Sequence, residues 1–235
     1  FKDHSYISFN LNDFTFSTEI LWDIIKVGLP ASLSMIVMAV GQGVFNKILV
    51  HISVETVAAY QVAGRLDMLV FLPIFSIAAS LTTLVGMFYG AKEFEALRFT
   101  IRYGIISALI ITIFSSALVY IFADQVVRFF TEDESIVLFA VNFLQIFAFA
   151  YPFIAVGITT GRVLQGLGKG LPVLVITIVR VLGVSAPLAL FFVFIMEKSV
   201  EWVWYSMMLS TVVAFAIGLT WLVSTIKKLP VKKSD

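Results

Sequence analysis

The sequence predicts an all-α, polytopic membrane protein, built as one bundle of six transmembrane helices. Of its 235 residues, 60% are hydrophobic and 13% are charged, whereas soluble domains average about 45–50% apolar and about 25% charged residues. Six apolar segments are long enough to cross a hydrocarbon core, which needs about 20 residues per helix. Because unpaired backbone groups are not tolerated in lipid, each segment is expected to be helical.

The six predicted spans follow one another with short polar connectors between them. They cover residues 24–50, 57–89, 99–122, 136–160, 172–196 and 202–226. The second is too long for one upright crossing, so we expect it to begin with an interfacial turn. Residues 24–226 therefore form a single predicted six-helix unit.

Two terminal segments lie outside this unit. Residues 1–23 have mixed polarity, begin with Phe1 and lack the basic n-region and small-residue cleavage site of a signal peptide. We expect them to be a linker from an upstream bundle, which makes the chain a fragment or one half of a longer protein. Residues 227–235 form a basic tail that we expect on the cytoplasmic side.

Basic residues in the connectors predict the orientation, because lysine and arginine favour the cytoplasmic side. With both termini inside, eleven basic residues are cytoplasmic and two are outside. The eleven are Lys2, Lys26, Lys92, Arg98, Arg102, Arg162, Lys169, Lys227, Lys228, Lys232 and Lys233, and the two are Arg128 and Lys198. We expect a multi-pass protein of the cell membrane, surrounded by membrane lipid.

Composition and motifs argue against several other classes of protein. A net charge of +1 provides no basic surface for nucleic acid. The chain has no cysteine, and its two histidines, His4 and His51, are too far apart in sequence to indicate a metal site. The GLGKG motif at residues 166–170 lacks the first glycine and the Ser/Thr of a phosphate-binding loop. We therefore expect no enzyme activity, no cofactor and no bound metal.

A basic and an acidic residue stand two positions apart inside the second span. Arg65 and Asp67 lie about 12 Å and about 15 Å from its outer end. Each charge costs about 2.5–3.5 kcal/mol at such a depth, so both are expected to face the bundle interior or a hydrated cavity. Residues two apart do not face each other on a helix. Arg180, at similar depth in the fifth span, is predicted to approach Asp67 directly or through water; the alternative is that this pair only fixes helix packing.

Uncharged polar side chains inside the spans extend this polarity. They are Gln42, Asn46, Gln61, Asn142 and Gln145. Spacings of three or four residues place Gln42 with Asn46, and Asn142 with Gln145, on shared helix faces. Any single one is explained by helix–helix hydrogen bonding, worth about 0.6 kcal/mol. Taken with Arg65, Asp67 and Arg180, they indicate a polar interior that suits a substrate or ion pathway.

Prolines inside the spans indicate places where helices bend. A proline in a helix removes one backbone hydrogen bond and kinks the helix. Pro73, Pro152 and Pro187 are the predicted hinges. Such weak points suit a bundle that changes between two conformations.

Four stretches of the sequence resemble the multidrug and toxic compound extrusion (MATE) family of secondary transporters. They are GLPASLSMIVMAVGQGVFNKILV, VETVAAYQVAGRLDMLVFLPIFSIAASLTTLVGMFYGAKEFEALR, VVRFFTEDESIVLFAVNFLQI and GITTGRVLQGLGKGLPVLVITIVRVLGVSAPLALFF. The resemblance runs from about residue 24 to residue 194. It implies two six-helix bundles facing each other across a central cavity, of which this chain is similar to the C-terminal one.

The resemblance also implies export of cationic or amphipathic compounds in exchange for H⁺ or Na⁺ by alternating access. One bacterial branch of the family has acidic residues on the first and fourth helices of this bundle, but spans 24–50 and 136–160 contain none. The DinF-like branch, with its essential aspartate in the N-terminal bundle, is the better comparison. Asn46 stands near the pseudo-symmetric position of that aspartate, so this half is expected to supply cavity wall and gating.

The same residues also fit other interpretations. A flippase for lipid-linked oligosaccharides shares the two-bundle architecture and calls for basic residues around the cavity. Alternatively, the chain is a half-size unit that pairs with a second copy, or a membrane protein without transport activity. In the leading interpretation, its partners are the missing N-terminal bundle and a small-molecule substrate.

Overall fold

The structure is a computed structural model that describes residues 16–230, and every regular element in that part is a helix. The helices are α1 (Thr18–Ile52), α2 (Val54–Gly90), α3 (Phe94–Arg128), α4 (Glu134–Ala148), α5 (Tyr151–Gly166), α6 (Leu171–Ile195) and α7 (Glu201–Lys227). Most of the predicted linker, residues 1–15, and the end of the basic tail, residues 231–235, lie outside the described residues.

Six membrane crossings account for these seven helices. Five helices are long and apolar enough to span a membrane, and α4 and α5 together form a sixth crossing that is bent by 60°. The predicted six-helix bundle is thereby confirmed. One detail of the prediction is wrong, because the fourth span is two helices. The long second span is one continuous helix that begins directly after Ser53, and its interfacial first turn stays a prediction.

Large apolar side chains cover the outside of the bundle. Phe99, Phe114 and Ile121 of α3 are between 64% and 71% exposed, and α1 exposes Trp22 and Met35 to a similar degree. Exposed apolar surface on this scale is rare on soluble monomers but favourable against hydrocarbon chains. The chain is a multi-pass membrane protein.

The core lies where α2, α3, α4, α5 and α7 meet. Its largest fully buried side chains include Trp204 of α7, Tyr151 of α5 and Phe143 of α4. A smaller apolar cluster fills the opposite end of the bundle, around Leu97 and Leu222. The aromatic residues therefore concentrate in the larger cluster, which contains the polar groups described below.

The helix α6 is irregular over much of its length. Val179–Ser185 and Phe191–Ile195 have π-helical hydrogen bonding, and the short α-helical turn Ala186–Leu190 lies between them. Pro187 stands in the first turn of that short segment. Because proline has no N–H to donate, a wider helical turn beside it relieves the missing bond, as is common for π-bulges.

Candidate functional site

Asp67 is held by a tyrosine from another helix. The hydroxyl of Tyr151, at the start of α5, donates a hydrogen bond to the Asp67 carboxylate on α2. Tyr151 is fully buried, and Asp67 is half-buried. A carboxylate at this depth needs such a charge-assisted donor, because unpaired polar groups in an apolar interior are costly.

Aromatic rings surround this hydrogen bond. The Phe71 ring meets the Tyr151 ring edge to face, with centroids 5.4 Å apart and an interplanar angle of 89°. Tyr60 stacks on Trp204 at 5.9 Å, and Phe143 meets Trp204 edge to face at 4.9 Å. Rings pack well in both arrangements. Through the Phe147 ring, which contacts both Phe143 and Tyr151, side chains from α2, α4, α5 and α7 form one aromatic cluster. The polar centre within it is the bonded pair of Asp67 and Tyr151.

Arg180 does not form the predicted direct contact with Asp67. In the part of the chain that the structure describes, the salt bridges all belong to Arg128, which pairs with Asp124 and Glu134. Asp67 instead accepts its hydrogen bond from Tyr151. The predicted pairing of the α6 arginine with the α2 aspartate is therefore not a direct contact.

Arg65 and Asp67 point to different surroundings, as expected for residues two apart on a helix. Arg65 is exposed, whereas Asp67 turns toward Tyr151. One turn before Arg65, Gln61 Nε2 donates to Asn46 Oδ1 at 3.2 Å. This bond joins two of the predicted polar positions across α1 and α2.

The other three uncharged polar residues of the prediction lie on α1 and α4. Gln42 is exposed on α1, and Asn142 and Gln145 are partly buried on α4. Asn142 Oδ1 and Trp204 Nε1 are buried without a hydrogen-bond partner among the described residues. An unpaired acceptor and an unpaired donor on neighbouring helices suit ordered water at the edge of the polar centre.

The three predicted hinge prolines differ in the regularity of the backbone around them. Pro152 follows directly after the 60° break between α4 and α5. Pro187 lies between the two π-helical segments of α6. Pro73 lies inside α2, which is one continuous helix from Val54 to Gly90. Their role as hinges stays a prediction.

Sequence reasoning missed Tyr151, Tyr60 and Trp204. It searched for charged and amide side chains in the spans, and a tyrosine or tryptophan counts there as an apolar or interfacial residue. The one local signal for Tyr151 is its position beside Pro152 in the middle of a predicted span.

No group of three or more histidine, cysteine, aspartate or glutamate side chains within residues 16–230 is arranged to hold a metal ion. Asp67 is the single acidic residue among the aromatic side chains described above. The chemistry of this site is therefore that of one carboxylate and one tyrosine hydroxyl among aromatic rings.

Comparisons with known proteins agree with this architecture. A family model described as MatE matches residues 30–191. The probable multidrug resistance protein NorM of Thermotoga maritima is 26% identical over 202 residues, which cover 86% of this chain and 44% of that protein. The probable multidrug resistance protein YoeA of Bacillus subtilis is 26% identical over 171 residues, which cover 73% of this chain and 37% of that protein.

Solved structures show the same fold. A MOP superfamily transporter from Pyrococcus furiosus, whose binding pocket of reversed polarity suggests a different function, superposes with a TM-score of 0.90 at 31% identity. The match covers 97% of this chain and 51% of that one. A MATE structure in the bent conformation gives a TM-score of 0.88 at 31% identity, covering 96% of this chain and 50% of that one.

This chain thus spans about half the length of the relatives and structures it matches. The family model covers more than half of its residues, and the shared fold extends over nearly all of it. The chain belongs to the MatE family of multidrug and toxic compound extrusion transporters.

Proposed function

We propose that this chain is the C-terminal six-helix half of a secondary active exporter. In this proposal it moves cationic or amphipathic compounds out of the cell in exchange for H⁺ or Na⁺, by alternating access with a second six-helix bundle. Curated relatives described as probable multidrug resistance proteins support the export of drugs. Their greater length supports a second bundle as the missing partner.

The observation that carries the proposal is the polar centre inside a membrane bundle. Ionisable residues within transmembrane segments are rare, and they mark ion or substrate pathways when they face the protein interior. Asp67 is held by Tyr151 there, whose ring packs against those of Phe71 and Phe147. A carboxylate among aromatic rings suits an organic cation, because ring faces and the carboxylate both attract positive charge.

The distribution of charge supports cytoplasmic termini. Among the described residues, the end of the bundle that contains the start of α1 and the end of α7 carries eight basic side chains, and the other end carries three. The eight are Lys26, Lys92, Arg98, Arg102, Arg162, Lys169, Lys227 and Lys228, and the three are Lys47, Arg128 and Lys198. Under the positive-inside rule, the first end is cytoplasmic.

A second candidate function is movement of an anionic substrate, such as a lipid-linked oligosaccharide. Arg65 is exposed on α2, and neither it nor Arg180 forms a salt bridge within residues 16–230. Two guanidinium groups without a carboxylate partner suit phosphate or pyrophosphate.

Efflux measurements on the full-length protein test the proposal. In a bacterial host without its own drug exporters, the wild type should lower ethidium accumulation, and a protonophore or removal of sodium should abolish this effect. Asp67→Asn should slow efflux about tenfold or more, because a hydrogen bond to a charged group is worth about 1.5–3 kcal/mol. The exposed Asp23 of α1 gives the matched control, since Asp23→Asn should export as well as the wild type.

Equal efflux by Asp67→Asn and the wild type would contradict the assignment of Asp67 to the pathway. Absence of efflux by the wild type, together with transfer of a labelled lipid pyrophosphate-sugar across proteoliposomes, would favour the second candidate. In that case Arg65→Ala and Arg180→Ala should each reduce transfer.

A further inference from the structure

The break between α4 and α5 has a defined cause in the backbone. In a continuous helix the N–H of residue 152 would donate to the carbonyl of Ala148, four residues earlier. Residue 152 is proline, so this bond cannot form. The chain turns at Phe149 and Ala150, and the two helix axes differ by 60°. The Ala148 carbonyl is left without its helical partner inside the membrane.

A serine of a neighbouring helix binds this carbonyl. Ser116 Oγ of α3 donates a hydrogen bond to the Ala148 carbonyl, and the Ser116 side chain is buried. The bond replaces the one that Pro152 cannot make. It also fixes the end of α4 against α3.

The first residue after the break is fixed by a different helix. Tyr151 is fully buried, and its hydroxyl donates to the Asp67 carboxylate of α2. Its ring is held edge to face against Phe71, and the Phe147 ring lies 6.4 Å away at an angle of 62°. The end of α4 is thus bound through Ser116 and the start of α5 through Tyr151.

We propose that Tyr151 is a positioning residue that couples the charge of Asp67 to the angle between α4 and α5. This inference rests on the proposed function in assuming that Asp67 changes its charge state or its ligand during transport. A carboxylate accepts a hydrogen bond about twice as strongly as a neutral oxygen. When Asp67 is neutralised, the start of α5 is released while Ser116 still holds α4.

The other charged and titratable groups near this contact set its surroundings. They are Tyr60 and Arg65 on α2 and Arg180 on α6. None of them hydrogen-bonds to Asp67 within residues 16–230, whereas Tyr151 does. Tyr151 is therefore the direct link from Asp67 to the helix break. Since α5 is about 24 Å long, a change of about 10° in the bend moves its far end by roughly 4 Å.

Distance measurements between spin labels test this coupling. Labels at Leu138→Cys on α4 and Arg162→Cys on α5, both exposed sites, report the bend in the full-length protein in lipid nanodiscs, after any cysteines elsewhere in it are replaced. Each label lies about 17 Å from the break, so for a change of about 10° in the bend Asp67→Asn, a neutral mimic, and Tyr151→Phe should each shift the mean distance by roughly 1.5 Å in the same direction. The double variant should show the same shift as either single variant.

Tyr205→Phe is the matched control, because Tyr205 is exposed on α7 and its hydroxyl has no part in the break. Tyr151→Phe loses only a hydroxyl, and a preserved melting transition will show that it folds. An unchanged distance in Tyr151→Phe, or shifts that add in the double variant, would overturn the coupling.

The distance measurement needs no substrate, so it separates this inference from the proposed function. A shift in Asp67→Asn and Tyr151→Phe without efflux by the wild type would leave the coupling intact and refute export. Loss of efflux in Asp67→Asn with an unchanged distance would support export and refute the coupling.

Discussion

A single residue, Ser53, reverses the chain between α1 and α2. Its backbone N–H donates to the Leu49 carbonyl at 3.0 Å, and its Oγ accepts from the Thr56 N–H at 3.2 Å. The Thr56 hydroxyl donates to the Leu49 carbonyl as well, at 2.9 Å. Backbone groups that helix ends normally leave unpaired are thus bound within a few residues. Because these groups are bound locally, two long helices can follow each other with one residue between them.

Ser53→Ala should lower the melting temperature of the protein. The substitution removes the side-chain cap of α2, and loss of such a cap costs about 1 kcal/mol. Ser53→Asp should retain most of the stability, since aspartate also caps helices. Ser199→Ala, in the connector before α7, is the control. Equal melting temperatures for Ser53→Ala and Ser199→Ala would show that the cap contributes nothing measurable.

Single residues also determine which groups form the polar centre. Asp67 has a tyrosine hydroxyl as its partner, where the sequence suggested an arginine. A tyrosine hydroxyl donates to the carboxylate without adding a charge of its own, so no second charge has to be buried directly beside Asp67. Such a site can lose or gain charge by neutralising Asp67 alone.

Among whole elements, α2 and α5 approach each other closely at one end of the bundle. A Cβ added at Gly166 would lie 2.7 Å from the Thr82 carbonyl oxygen and 3.2 Å from Val85. The Thr82 hydroxyl reaches the Arg162 carbonyl at 3.4 Å in the same contact. Small residues at helix crossings allow this approach in membranes, where packing provides much of the association energy.

Gly166→Ala should therefore destabilise the bundle by about 1–3 kcal/mol, the usual cost of overpacking. Gly157→Ala lies on the same helix, where an added Cβ meets nothing within 4 Å. That variant should be neutral or more stable by about 0.5–1 kcal/mol, because alanine is the better helix former. Thermal unfolding in nanodiscs measures both. The packing argument fails if the two variants melt alike.

The whole molecule has an asymmetric charge distribution from end to end. At the end that we propose is cytoplasmic, Arg98 Nη2 donates to the carbonyls of Leu229 and Pro230 at 3.0 and 3.2 Å. Lys169 Nζ contacts Thr225 Oγ1 at 3.4 Å. The chain beyond α7 is thereby fixed to the start of α3, and the last turn of α7 to the connector before α6. At the opposite end, Arg128 is neutralised by Asp124 and Glu134.

Cysteine labelling on intact cells tests the orientation. Lys198→Cys, in the connector before α7, should react with a membrane-impermeant maleimide. Lys228→Cys, just after α7, should react only after the cells are permeabilised, because the positive-inside rule places it in the cytoplasm. The sequence has no cysteine of its own, and any cysteines elsewhere in the full-length protein are replaced first. The opposite labelling pattern would reverse the proposed orientation.

The sequence by itself determined the membrane class, the six crossings and the family. Hydropathy over about 20 residues is a local property, because every backbone group in lipid must be paired within its own helix. Counting residues from a helix end also predicts depth, and Asp67 turns toward Tyr151 of another helix. Pro152 and Pro187 likewise predict irregular backbone beside them from the local sequence alone, because proline cannot donate a backbone hydrogen bond.

Only the tertiary structure decided which groups meet. The depth of a residue in the membrane does not determine how its helix is rotated about its own axis. Packing against neighbouring helices sets that rotation. For this reason the sequence predicted Arg180 for Asp67, whereas the fold brings Tyr151 to it. The break between α4 and α5 likewise depends on Ser116 of α3, far away in sequence, which binds the carbonyl that Pro152 leaves free. A proline weakens one bond locally, but a side chain from another helix determines whether the broken form is stable inside the membrane.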